Sequence, residues 1–172
     1  MGMKRLVLLF AALGAVVFFF AYGPVTVNVT ISTDGDGSND AIAATRNGTD
    51  NNDTLTGTVN RDFLNGRGGN DTLNGGDGKD KIVGGLGNDI VYGGNHGDDI
   101  SGGVPATNEG GVDKLYGGAG DDVLEAIDYG SSSPDTLDCG PGKGDFAFYD
   151  PGDTLIGCEN KSTEWFAIQD TP

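Results

Sequence analysis

The chain has almost none of the side chains that usually carry out chemistry. Its 172 residues include one His, one Trp, two Cys and two Met. His96, in the turn GGNHGD, therefore stands alone and reads as a solvated turn residue. There is no HExxH pair for a zinc protease and no Gly-x-Ser-x-Gly elbow for a Ser-His-Asp hydrolase. Positive charge is scarce as well: ten Lys and Arg face 26 Asp and Glu, giving a net charge of -16. That argues against nucleic acid as a partner, because phosphate contacts require clustered Lys and Arg. Aromatics make up 8%, whereas 32 residues are Gly. Such acidic, Gly-rich chains bury too little apolar surface to offset chain entropy and stay unfolded unless something else orders them. Cations are the natural partner.

The first 23 residues differ from everything after them. Lys4 and Arg5 precede an uncharged run from Leu6 to Gly23, the layout of a secretory signal. The run is long for a signal core and short for a comfortable membrane span. Two expectations stay open, a cleaved signal and a retained N-terminal anchor, and both make the body secreted or extracellular. Residues 24–47 read as a linker, with one exposed strand in PVTVNVTIST and then the acidic stretch DGDGSND.

What the body has is a repeat. Asp53, Asp62, Asp71, Asp80, Asp89 and Asp98 recur with a period of nine. Asp113 and Asp122 resume it after a six-residue insertion around VPATNE, and Asp135 after a further four-residue insertion. Asp153 lies two periods beyond Asp135, and the period between them has Gly144 in the Asp place with Asp145 one step late. Two residues after each Asp position stands an apolar side chain: Leu55, Leu64, Leu73, Ile82, Val91, Ile100, Leu115, Leu124, Leu137, Phe146 and Leu155. With 36% hydrophobic residues overall, eleven such hits have chance odds of about one in 10⁵.

One inward side chain per nine residues predicts a very short strand of period two. Six turn residues follow, as in GGDGKD, GGLGND and GGAGDD, whose glycines supply positive φ. Two strands and two turns make a coil of 18 residues, which places residue i over residue i+18 at about 4.8 Å. The Asp positions then form two ladders. One edge carries Asp53, Asp71, Asp89, Asp113, Asp135 and Asp153; the other carries Asp62, Asp80, Asp98, Asp122 and Asp145. Carboxylates about 5 Å apart repel by roughly 0.8 kcal/mol per pair even at the dielectric of water. A divalent cation between coils reverses that sign. Oxygen-only donors, from Asp and turn carbonyls, favour Ca²⁺ over Zn²⁺ or Cu²⁺, and Mg²⁺ demands a tighter octahedron than flexible loops provide.

GGDGKDKIV (75–83), GGLGNDIVY (84–92) and GGAGDDVLE (117–125) resemble the GGxGxDxUx nonapeptide of the RTX, or haemolysin-type, calcium-binding repeat family. The resemblance covers residues 48–156. It implies an all-β fold, a parallel β-roll or right-handed β-solenoid, in which the Asp ladder and turn carbonyls hold several Ca²⁺ ions. Matching positions are the Asp ladder and the turn-opening Gly66, Gly75, Gly84, Gly93 and Gly117. The pattern weakens in GTDNND and GTVNRD, where Thr49 and Thr58 replace Gly, and in GSSSPD. The N-terminal apolar segment also departs from the C-terminal, uncleaved export signal typical of the family.

Cys139 and Cys158 are separated by one coil plus one residue, so stacking brings their Cα atoms to about 5–6 Å, within reach of a disulfide. Residues 157–172, with Trp165, Phe166 and Ile168, read as a C-terminal cap over the open end of the roll. Three functions of different class fit. The first is a Ca²⁺-dependent structural or adhesive surface module, monomeric and without catalytic activity. The second is a calcium buffer or sensor, and the third is the detached repeat tail of an exported hydrolase.

Overall fold

The computed structural model describes residues 44–103, 111–128 and 133–163. The expected signal or anchor, the linker up to residue 43 and the aromatic cap residues Trp165, Phe166 and Ile168 lie outside the described residues. Among the described residues thirteen strands form: β1 (Thr45–Asn47), β2 (Thr54–Thr56), β3 (Phe63–Gly68), β4 (Thr72–Asp77), β5 (Lys81–Leu86), β6 (Ile90–Asn95), β7 (Asp99–Ser101), β8 (Lys114–Ala119), β9 (Val123–Ala126), β10 (Thr136–Asp138), β11 (Phe146–Tyr149), β12 (Thr154–Ile156) and β13 (Asn160–Ser162). No helix occurs among the described residues. Odd-numbered strands stack in one seven-stranded sheet and even-numbered strands in a six-stranded one. Every pair is parallel, so the chain alternates between the sheets and winds a β-solenoid of about six turns.

The register follows the 18-residue coil. Leu55, Leu73, Val91, Leu115, Leu137 and Leu155 stack in one file. Arg46, Leu64, Ile82, Ile100, Leu124, Ala147 and Lys161 stack in the facing one. Between the ends of these files the apolar side chains are essentially without solvent contact. Each fully buried Leu or Ile contributes roughly 1.5–3 kcal/mol relative to exposure. The two ends of the second file differ in kind: it begins at the half-buried Arg46 and finishes at the exposed Lys161.

Two expectations are corrected here. Strands in the regular coils run for six residues rather than three, because the alternation continues past the Leu. Asp, Leu and Gly are buried at alternate positions, as in Asp80, Ile82 and Gly84, and the absent Gly side chain lets the strand continue into the corner. The other correction concerns Phe146, which is only partly buried, while Ala147 takes the inward place opposite Leu124. The preceding turn, CGPGKGD, is one residue longer than the six-residue turns, so both Asp145 and the inward position move one step.

The roll also extends beyond residues 48–156. β1 pairs with β3, and Ala44 is buried with its amide on Asp62 Oδ1 at 2.6 Å. At the other end β13 pairs with β11. Neither strand carries an apolar residue at its inward position, which is why the periodicity does not reach them.

Candidate metal sites along the two edges

Each corner of the solenoid brings a glycine from the end of one strand against the aspartate that opens the next. The main-chain amide of each Asp donates to Oδ1 of the Asp one coil later. Along one edge the bonds run Asp53 to Asp71, Asp71 to Asp89, Asp89 to Asp113, Asp113 to Asp135 and Asp135 to Asp153, at 2.7–2.9 Å. Along the other they run Asp62 to Asp80, Asp80 to Asp98, Asp98 to Asp122 and Asp122 to Asp145, at 2.7–2.8 Å. Both ladders read from the sequence therefore exist as hydrogen-bonded files, and Asp145 completes the second one.

The remaining carboxylate oxygen distinguishes one corner from another. Oδ2 of Asp71, Asp80, Asp89, Asp98, Asp122, Asp135 and Asp145 is buried with no hydrogen-bond partner. A buried, unpartnered carboxylate oxygen costs several kcal/mol unless it is protonated or meets a cation. At Asp53 and Asp62 the situation differs. Thr49 donates to Asp53 Oδ2 through its amide at 2.6 Å and its hydroxyl at 2.8 Å, and the Thr58 amide donates to Asp62 Oδ2. The Asp150 amide likewise holds Asp153 Oδ2 at 2.8 Å. In the two turns where Thr replaces the second Gly, and at the last Asp of the file, the second oxygen is satisfied within the chain.

The turn-opening glycines face the same corners. A Cβ on Gly84 would lie 2.5 Å from Asp89 Oδ2 and 2.5 Å from the Gly102 carbonyl oxygen. Gly66, Gly75, Gly93 and Gly117 face Asp71, Asp80, Asp98 and Asp122 in the same way, each with a carbonyl of the following coil. Their requirement is space, not positive φ; the φ demand falls on the second glycine, as at Gly85 with φ of 120°. The sequence signal for this role was the first Gly of the pair, whose φ is ordinary.

Burial raises the carboxyl pKa values above the usual range. Asp89 and Asp135 are pushed to about 8, Asp98 to about 7, and Asp80, Asp113 and Asp122 to about 6. Desolvation is the largest cause at each; the ladder hydrogen bond lowers the value, and neighbouring carboxylates raise it. Among the described residues no three His, Cys, Asp or Glu side chains converge on one point. A cation at a corner would thus be held by one or two carboxylates together with main-chain carbonyls. That all-oxygen, irregular donor set suits Ca²⁺ and not Zn²⁺.

His96 is exposed in its turn at φ of 75°, with Nδ1 3.4 Å from the Gly78 amide. Cys139 and Cys158 form a disulfide, with Cα atoms 5.2 Å apart.

These features define a parallel β-roll with a carboxylate file along each edge. A family model of the RTX calcium-binding nonapeptide repeat (4 copies) matches residues 47–82, 74–104 and 109–126. Those segments are RTX calcium-binding nonapeptide repeats, and their fold is the family's β-roll. No curated protein and no solved structure matches the chain.

Proposed function

We propose that this chain is an exported module that folds on binding several Ca²⁺ ions and then serves a structural or adhesive role at a surface, without catalysis. The observation that carries the reading is the series of seven buried Asp Oδ2 atoms without partners, five of them in a corner shared with a main-chain carbonyl of the following coil. Asp71, Asp80, Asp89, Asp98, Asp113, Asp122, Asp135 and Asp145 are the proposed ligands. Asp53, Asp62 and Asp153 contribute less, because their second oxygen already accepts a main-chain amide. Export is supported by the Lys4–Gly23 pattern and by the usual setting of such repeats.

Metal bound only by the native state stabilises it by mass action. Circular dichroism of the chain without residues 1–23 should show little β signal in chelator and a large gain with millimolar Ca²⁺, saturating at roughly five to eight ions. An unchanged spectrum on adding Ca²⁺ would sink the calcium reading. Surface capture with and without Ca²⁺ tests the adhesive part: a Ca²⁺-dependent partner supports it, and none under either condition leaves a calcium buffer.

A further inference from the structure

The disulfide stands where the pattern calls for a glycine. Along the edge that carries Asp62, Asp80, Asp98, Asp122 and Asp145, the turn-opening residues are Gly57, Gly75, Gly93 and Gly117. At each of these a Cβ would collide with the Oδ2 of the Asp five residues on and with a carbonyl of the following coil. The register of β8 with β10 continues this file to Cys139, whose carbonyl lies 2.7 Å from the Cβ place of Gly117. Cys139 is fully buried, so its side chain fills the space that carboxylate oxygens fill in earlier coils.

Two features of the sequence accommodate the exchange. The residue five after Cys139 is Gly144, which has no carboxylate to offer. The turn is longer by one residue, which delivers Asp145 to its ladder hydrogen bond from Asp122 and sets its carboxylate against Gly142. From that corner the sulfur bonds to Cys158 in the final coil, while the Cys139 amide donates to the Ile156 carbonyl at 2.9 Å.

We infer that the Cys139–Cys158 bond replaces a cation as the clamp between the last two coils, so that its oxidation state sets the Ca²⁺ concentration at which the whole roll folds. The inference rests on the calcium reading above. Between earlier coils the link is a metal that must first bind; here it is covalent and present without metal. An oxidised chain therefore starts with its last two coils tethered, and each preceding coil adds to an existing edge.

The test compares Ca²⁺-titrated β signal for the oxidised chain, the same chain reduced and alkylated, and the Cys139→Ser/Cys158→Ser variant. The oxidised chain should fold at the lowest Ca²⁺. Both chains without the bond should reach the same end state at a midpoint roughly two- to threefold higher, as expected when closure of a short loop is traded against several cooperatively bound ions. Equal midpoints overturn the inference while leaving calcium-driven folding intact. A chain without the bond that folds at no Ca²⁺ concentration also overturns it, since bond and cation are then not interchangeable. If no form responds to Ca²⁺, the calcium reading itself has failed.

Discussion

The main-chain amide of Asp89 donates to Oδ1 of Asp113 at 2.8 Å, although the two residues are 24 apart in sequence. Elsewhere in the regular coils the same bond spans 18 residues. The six additional residues leave the ladder at this point undisturbed, so the file is set by coil geometry and not by chain separation. Asp89 itself accepts from Asp71, which makes it the link between two successive gaps.

Substitutions in the files should rank by position. Asp89→Ala removes the acceptor of the Asp71 amide, which costs about 1–3 kcal/mol, and it removes a proposed ligand as well. Its folding midpoint should shift furthest to higher Ca²⁺. Asp80→Ala should behave alike, and Asp53→Ala should shift less because Thr49 already holds its second oxygen. Asp36→Ala, in the acidic stretch before the roll, should shift it hardly at all. Asp89→Asn keeps an acceptor and loses the charge, so it separates the two contributions. Equal shifts for Asp89, Asp80, Asp53 and Asp36 would make Ca²⁺ a diffuse counterion.

Gly84→Ala tests the corner as a matter of space. The new methyl would lie 2.5 Å from both Asp89 Oδ2 and the Gly102 oxygen, and overpacking of this kind costs about 1–3 kcal/mol. Calcium-driven folding should weaken strongly, with fewer ions bound at saturation. Retention of the wild-type midpoint and stoichiometry would show that the corner is roomier than described.

The raised carboxyl pKa values fix the sign of a pH effect. A metal-free folded roll holds protons on Asp89 and Asp135 up to about pH 8, and on Asp98 up to about 7, whereas the unfolded chain releases them near 3.8. The folded state binds more protons between these limits, so its stability falls as pH rises from about 4 to 8. In chelator the β signal should be greatest near pH 4 and should disappear towards pH 8. Added Ca²⁺ should restore it at pH 8 with no release of protons, because the unfolded chain has already lost them; near pH 5 it should release protons from the folded roll. A metal-free β signal that grows with pH would contradict the buried-carboxylate account.

Arg67 and His96 have φ of 78° and 75° at positions where other turns have Gly. The left-handed region costs an ordinary residue about 1–2 kcal/mol. Arg67→Gly and His96→Gly should each raise stability at fixed Ca²⁺ by about 1 kcal/mol, after allowing for the freer unfolded chain. Measured in denaturant at saturating Ca²⁺, a large loss on His96→Gly would instead give the imidazole a role of its own.

Much of this architecture is legible in the residues alone. The nine-residue Asp period and the Leu two places later fix the coil, the parallel stacking and both ladders, because each is a direct image of one repeated geometry. The cysteine spacing gives the disulfide for the same reason. Phe146 misleads because the longer turn before it shifts the register, and only the pairing of Ala147 with Leu124 reveals that shift. The glycine corners are legible as a pattern but not as a cause, since spacing alone does not distinguish a glycine needed for φ from one needed for room. The unpartnered Oδ2 atoms are invisible in sequence: Thr49 marks the turn before Asp53 as a departure from the pattern, but only the structure shows it donating to that carboxylate.

Arg46→Leu and Lys161→Leu, made together, should cause folded chains to associate end to end. Charges on edge strands block strand addition, and the double variant replaces both with the residue type found in the intervening file. Sedimentation at saturating Ca²⁺ should show higher oligomers for the variant relative to wild type. Identical profiles for both chains would assign end protection to other residues.

A stack of identical coils has no intrinsic length. Each new coil offers the next one the same hydrogen-bonding edge and the same apolar file, which is the logic of a one-dimensional polymer. Finite size has to be written into the sequence as a stop at each terminus. Arg46 and Lys161 sit in register with the aliphatic files, so a further coil stacked on either would have to cover a charge, a cost incurred without any change of fold. The roll is in this sense a fibre segment with a charged residue at each end of one of its two files.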